Sequence, residues 1–324
     1  MKKTKWALIG CGKVVLKNKT TPFINRTNTI VGICTTNIEH SKLAKERLKL
    51  KNCGCYENVN DMLNNENIDA IYICTPPKFH YTYLKLLENY RIPVYVEKPF
   101  VLNEKEAKII VKEYKEKNTP LFVAHYKRLT PKFKKLNLLL KKKKIGNIVS
   151  IAGTFNRPFN KNLLKTSWIY NKEISGGGRF FDIAPHIFDI IYYLFGNFNN
   201  LKNYVEFENK KHDCEKKVSV SFQVKDIDCK LDFDLDAKEE KDIICFYGTK
   251  GYLKTSINRQ MPILIYNKNG KLKKTYKFKK IKTWGLEAVK EINKFINRKN
   301  YSTNLCTGEQ ALNIQTYIEK ALKK

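Results

Sequence analysis

Three groups of residues in this chain have the types and spacing for chemistry. Lys98 sits in Glu97-Lys98-Pro99, directly after the run Ile92-Pro93-Val94-Tyr95-Val96. A short β-branched and aromatic run bounded by proline reads as a buried strand. The end of such a strand is where open α/β sheets hold their ligands. Pro99 withholds a backbone donor and fixes the turn, with a cis bond among its options. Alone, Lys98 would read as one more solvated lysine, but two further features bear on it. Asp182 and His186 are four residues apart, hence one turn apart on a single helix face. As an isolated pair they read as a cap and a core histidine. Beside a strand-end lysine they read as a carboxylate and an imidazole able to orient and accept a proton. The third feature is Gly10-Cys11-Gly12, which follows the apolar run Trp6 to Ile9. There the first glycine permits a tight turn and the second lets an anion approach the backbone. The third small residue of that fingerprint is absent, since Val15 stands in its place.

The elements that must position these groups follow from hydrophobic patterning. Trp6 to Ile9, Thr29 to Cys34, Ala70 to Cys74, the run ending at Val96, and Pro120 to Ala124 read as short strands. Helical stretches over about Lys78 to Asn89 and Glu104 to Lys117 separate the later ones. Strands alternating with helices imply βαβ units, a parallel sheet and a doubly wound fold. From Phe180 the apolar residues recur at helical spacing through Leu194, with Gly196 as the stop. Pro185 is tolerable there if it lies in the first turn. The glycines of Ser175-Gly176-Gly177-Gly178 bring backbone close to something or form a flexible entry to the helix.

Beyond that helix the pattern changes. Asn203 to Phe207, Val218 to Val224, Cys229 to Leu235 and Asp242 to Tyr247 read as strands, and Lys250-Gly251 turns between two more. Strands without intervening helices imply a largely antiparallel sheet. Helical stretches over Leu286 to Asn297 and Thr307 to Leu322 follow. The expected organisation is a dinucleotide-binding domain over residues 1–124 and an α/β substrate and oligomerisation domain over 125–324, with the final helices able to return to the first.

Composition removes several function classes. A chain of 324 residues with 42% hydrophobic and 12% aromatic content belongs to a folded protein. No apolar stretch has the length of a membrane span, and Ile187 to Phe195 is interrupted by Asp189. The lysines near Met1 precede an apolar run too short for a signal peptide. Nine cysteines, without a Cys-x-x-Cys pair, fit a reduced, cytoplasmic setting. His212 and Cys214 lack a second ligand pair, so no metal site is expected. The formal charge of +31 is spread over nearly every segment with abundant Asn and Ile, a bias that an AT-rich genome would produce. Its densest blocks, Lys141 to Lys144 and Lys271 to Lys282, lack the aromatic ladder of a nucleic-acid module. A field of this sign still favours anionic ligands, a dinucleotide among them. After the second strand, where an acidic residue would meet a free ribose, the chain has Thr35-Thr36-Asn37, with Lys42 nearby. The missing carboxylate admits either NAD or NADP and tilts the expectation towards NADP.

In order along the chain, Ala7-Leu8-Ile9-Gly10-Cys11-Gly12-Lys13, Ile73-Cys74-Thr75-Pro76-Pro77-Lys78-Phe79-His80, Val96-Glu97-Lys98-Pro99, and Gly176-Gly177-Gly178 through Asp182, His186 and Asp189 resemble the glucose-fructose oxidoreductase/inositol dehydrogenase/rhizopine catabolism (Gfo/Idh/MocA) family over essentially the whole length. The resemblance implies a Rossmann domain followed by an α/β domain whose open sheet packs against another subunit, as a dimer or tetramer. It implies that Lys98, Asp182 and His186 match the catalytic lysine, aspartate and histidine. It also implies cofactor contacts from Gly10, Gly12, Lys13, Val14, Thr35, Thr36, Thr75, Pro76, His80, Glu97 and Lys98. The substrate is expected to meet Lys98, Asp182 and His186, with Tyr126, Arg128 and Trp168 as further pocket candidates. The expected reaction is hydride transfer between a nicotinamide and a secondary alcohol of a sugar, polyol or dihydrodiol. A rival expectation is a non-catalytic NAD(P)-binding sensor of the same fold. The partners expected are a small-molecule substrate and further copies of the chain, not nucleic acid or membrane.

Overall fold

The computed structural model describes residues 3–12, 28–158, 171–207, 215–281, 283, 285–297 and 304–323. The chain divides into two compact units. Met1–Val101, Lys105–Tyr126 and Ile281–Leu312 form the first, and Leu102–Glu104, Lys127–Lys280 and Asn313–Lys324 the second.

The first unit contains β1 (Thr4–Ile9), β2 (Asn28–Cys34), α1 (Ile38–Arg47), β3 (Gly54–Tyr56), α2 (Val59–Asn65), β4 (Ala70–Ile73), α3 (His80–Leu87), β5 (Val94–Val96), α4 (Glu104–Glu116) and β6 (Leu121–Val123). After the excursion through the second unit come α8 (Leu286–Asn297) and β15 (Cys306–Thr307). Its sheet runs β15-β6-β5-β4-β1-β2-β3, parallel throughout except for β15 against β6. Every residue of β4, β5 and β6 is buried, which is why these strands read as unbroken apolar runs rather than alternating ones. The strand order reverses between β1 and β4, and the crevice beyond the ends of those two strands is the ligand position in such sheets. Trp6 Nε1 donates to Asn293 Oδ1 at 3.3 Å, and Phe295 meets Phe122 edge-on, so α8 packs on this sheet. The short, polar α1 and α2, on either side of β3, begin at asparagine caps: Asn37 accepts from the Glu39 N–H and Asn58 from the Asn60 N–H.

The second unit contains α5 (Pro131–Lys141), β7 (Ile148–Asn156), α6 (Lys172–Ser175), α7 (Arg179–Phe195), β8 (Phe198–Phe207), β9 (Glu215–Val224), β10 (Ile227–Asp234), β11 (Lys241–Gly248), β12 (Gly251–Thr255), β13 (Ile263–Asn267) and β14 (Leu272–Tyr276). The second half of α9 (Gly308–Leu322) also belongs to it. The sheet order is β14-β13-β12-β11-β7-β10-β9-β8, antiparallel apart from β7 beside β10. Burial alternates along β7, β9 and β10, the signature of a sheet covered on one face. Phe155, Phe180, Phe233, Phe188, Phe198 and Phe222 form a chain of ring contacts that seats α7 on the covered face. One expectation is corrected: Pro185 lies seven residues into α7, past its first turn. It supplies no N–H to the Phe181 carbonyl, and the helix continues because ten of its side chains are buried.

Candidate active site

At the switch point of the first unit, Gly10 has φ +87°, and a Cβ there would lie 2.7 Å from Thr75 Cγ2. Only glycine allows β1 to turn this close to the end of β4. The Gly10 N–H donates to the Cys34 carbonyl at 2.8 Å, and the Cys74 N–H to that of Ile9 at 2.9 Å, so the strand ends remain paired up to the turn. At Gly12 a Cβ would meet no atom of the described residues within 4 Å, so there the missing side chain leaves the backbone open to an approaching group. Thr75 Oγ1 is buried without a hydrogen-bond partner among the described residues. An open glycine backbone and an orphaned hydroxyl at a β1–β4 switch point fit a dinucleotide phosphate. Lys13 and Val14 lie outside the described residues.

Thr35 and Thr36 follow β2. Thr35 is turned inward, its hydroxyl 2.7 Å from Ser41 Oγ and donating to the Asn37 carbonyl, while Thr36 is exposed. Lys42, which could meet a 2′-phosphate, is paired at 2.8 Å with Glu39 on the exposed face of α1.

Past β4, Pro76 leads into a short 3₁₀ turn over Pro77–Phe79. His80 is fully buried; its Nδ1 is 3.0 Å from the Pro99 carbonyl and 3.1 Å from that of Phe100, and its Nε2 is 2.9 Å from that of Thr75. Burial pushes its pKa below the usual histidine value, against the Thr75, Phe100 and Pro99 carbonyls, which favour the protonated ring. The ring thereby ties the loop after β4 to the loop that carries Lys98. Glu97, in the same loop, is buried and accepts from the Tyr72 hydroxyl, whose ring stacks on Tyr95. Burial and the nearby Glu97 charge raise the Tyr72 pKa well above its ordinary value, which keeps the phenol a donor. Lys98 itself is half-buried, and its bond to Pro99 is cis.

In the second unit, α7 presents a stripe. From its start through Ile191, every side chain is buried except Arg179, Asp182 and His186. Their i, i+3, i+7 spacing places all three along one face. The entry to the helix is tight rather than loose: a Cβ on Gly177 would lie 2.7 Å from Phe181 Cβ, and one on Gly176 2.9 Å from Phe181 Cε1. The glycines therefore let the turn fold against Phe181, which fixes where α7 begins. The Gly178 N–H donates to Glu215 Oε1 at 3.0 Å, and burial raises the pKa of that carboxyl. Neither Glu215 nor Tyr72 carried any local signal in the sequence, because each acts through a partner distant along the chain.

Arg128 and Asp189 are both 1% exposed and form a buried ion pair, with Arg128 Nε 3.3 Å from Asp189 Oδ2 and its guanidinium over the Tyr193 ring. The guanidinium thus anchors the middle of α7. Tyr126 is half-buried in the 3₁₀ turn Tyr126–Leu129. Trp168, His212 and Cys214 lie outside the described residues. The described cysteines are free thiols, and no described helix is long and apolar enough to cross a membrane.

A parallel sheet in the 3-2-1-4-5-6 order with an open glycine turn at its switch point defines a nucleotide-binding Rossmann unit, here followed by a unit with an open, mainly antiparallel sheet. Residues 4–125 match the oxidoreductase family with an NAD-binding Rossmann fold, and residues 133–254 match the GFO/IDH/MocA C-terminal domain. The chain belongs to the GFO/IDH/MocA oxidoreductase family. It is 32% identical over 269 residues to Oxidoreductase P35 of Formosa agariphila, covering 82% of each chain. It is 28% identical over 139 residues to the levoglucosan dehydrogenase of Pseudarthrobacter phenanthrenivorans, covering 43% of this chain and 36% of that protein. A solved structure of a levoglucosan dehydrogenase in complex with NADH and levoglucosan shares the fold, with a TM-score of 0.83, 17% identity, and coverage of 99% of this chain and 96% of that one.

Proposed function

We propose that this oxidoreductase transfers a hydride between a nicotinamide and a secondary alcohol or carbonyl carbon of a sugar, polyol or dihydrodiol-like substrate. The observation that carries the reading is the stripe on α7: from the start of the helix through Ile191, Arg179, Asp182 and His186 are the side chains that are only half-buried, and a carboxylate and an imidazole are among them. The dinucleotide, when bound, supplies the hydride acceptor, and Gly10, Gly12, Thr75, Pro76 and the loop of Glu97 and Lys98 would hold it. Oxidation of an alcohol also releases a hydroxyl proton, and His186 takes it. Asp182, one turn away, holds the imidazole and the substrate hydroxyl in register. Lys98 places a cation where alkoxide charge develops. His80 and the Tyr72–Glu97 pair fix the loop that carries Lys98. A levoglucosan dehydrogenase among the relatives supports a sugar-like substrate.

The test is a panel of sugars, polyols and dihydrodiols against both oxidised cofactors, followed by the absorbance of the reduced nicotinamide. Growth of that absorbance with a vicinal diol or sugar is expected, and silence across the panel contradicts the reading. Both cofactors should serve, NADP at least as well as NAD, because no acidic side chain follows Cys34 before Glu39. A strong native preference for NAD would refute this. We also propose a cytoplasmic homo-oligomer built on the open sheet face, where Tyr247, Tyr252 and Tyr266 form a row of ring contacts. Light scattering that returns a monomer would contradict that assembly.

A further inference from the structure

The remaining member of the α7 stripe, Arg179, is an arginine whose environment differs from that of its two neighbours in the same unit. Arg157 Nη1 is 3.0 Å from Glu240 Oε1 and its Nη2 is 3.5 Å from Asp242 Oδ2. Arg259 is paired with the same Glu240. Arg179 has no carboxylate partner among the described residues. Its Nη1 donates to two backbone carbonyls, Pro158 at 2.6 Å and Leu235 at 3.2 Å, which follow β7 and β10. Two fixed carbonyls hold the guanidinium plane in place, and Nε and Nη2 keep no acceptor among the described residues. Glu240 feels the Arg179 charge, but it already serves two other arginines. An oriented guanidinium with a free donor edge matches the oxygens of a carboxylate or phosphate in bidentate fashion.

We propose that Arg179 is a substrate-recognising residue and that the substrate carries an anionic oxygen group, carboxylate or phosphate, distant from the carbon that is oxidised. The proposal rests on the hydride-transfer reading of Asp182 and His186. The helix sets the spacing. Seven residues separate Arg179 from His186, a rise of about 10 Å, and the arginine side chain reaches further outward, towards the ends of β7 and β10. A group bound there stands apart from the reacting hydroxyl, with the body of the substrate between them, and cannot adjoin the carbon that is oxidised. A uronic acid or a terminal sugar phosphate has that separation. An α-hydroxy acid, whose carboxylate adjoins the reacting carbon, does not.

The test compares glucose, glucuronate, glucose 6-phosphate and lactate as substrates of the wild-type enzyme, Arg179→Gln and Arg179→Lys, with unfolding temperature as the check on folding. In the wild type, kcat/KM for glucuronate or glucose 6-phosphate should exceed that for glucose by about ten- to a hundredfold, the scale of a charge-assisted hydrogen bond. Which of the two is preferred identifies the anion. Arg179→Gln should collapse that ratio mainly through KM, and Arg179→Lys should restore part of it. Equal use of glucose and both anions, a preference for lactate, or a ratio untouched in Arg179→Gln would overturn the proposal. If no compound of either charge reduces the cofactor and the wider panel of sugars, polyols and dihydrodiols is silent too, the hydride-transfer reading falls. Calorimetry of glucuronate and glucose 6-phosphate on cofactor-loaded protein then judges Arg179 separately. Binding that weakens at least about tenfold in Arg179→Gln supports the anion site, and absent or unchanged binding overturns it.

Discussion

The sheet of the first unit is covered on both faces, with every residue of β4, β5 and β6 buried, whereas β9 and β10 of the second unit bury only alternate residues. This difference decides where each unit can display chemistry. A strand buried on both faces has no side chain to spare along its length, so the groups proposed for function in the first unit stand where strands stop: Gly10 after β1, Thr75 after β4, Lys98 after β5. In the second unit the proposed groups stand on a helix, on the stripe of α7 that its phenylalanine layer leaves half-buried. The other face of that second sheet remains open, with its row of tyrosines.

If strand ends and helix stripe have separate tasks, substitutions in the two regions should fail differently. The largest effect is expected at Lys98, the strand-end group assigned to the reacting oxygen. Lys98→Met should lower kcat by about a hundredfold or more, the scale for losing a group that stabilises developing oxyanion charge, without loss of fold. A variant with near-native kcat would remove Lys98 from the chemistry. Gly12→Val should act on binding instead. No atom of the described residues lies within 4 Å of its Cβ direction, so the protein should fold and bind NAD(P) at least about tenfold more weakly, as read by quenching of its intrinsic fluorescence. Unchanged affinity would show that the glycine turn is merely a turn.

These two positions were also the most legible in the sequence, because glycine spacing after a strand and a lysine before a proline are local patterns. The parallel sheet and α7 were legible for the same reason, their burial being written into hydrophobic periodicity. The stretch from Ile38 to Asn65 was not, since α1, β3 and α2 are short and polar and depend on asparagine caps and on pairing of β3 with β2. The buried partners behind these groups were invisible: Glu215 accepts from the Gly178 N–H at the entry to α7, and Tyr72 reaches Glu97 from the neighbouring strand. Such pairings exist only after the chain has folded.

A smaller effect should distinguish the second unit's framework from its site. Lys132, at the start of α5, is buried and donates to Ser256 Oγ at 3.0 Å and to the Arg259 carbonyl at 3.2 Å. Burial lowers its pKa to about 8, with attraction to Asp242 opposing the shift. The unfolded chain therefore binds more protons than the folded one between about pH 8 and the ordinary lysine value, and stability from this group rises as pH rises through that window. The stability of Lys132→Met relative to wild type should consequently fall between pH 7 and pH 10, as followed by chemical unfolding. A difference independent of pH would mean that the amine is charged in the fold.

The central claim, that the α7 stripe carries the proton chemistry, is tested most directly by the pH dependence of alcohol oxidation in wild type and His186→Ala, at saturating cofactor. The account predicts a limb rising with pH in the wild type. That limb should be lost in the variant together with about a hundredfold or more of turnover, while cofactor affinity stays unchanged. A variant that retained both full turnover and the limb would make His186 a core histidine and contradict the account.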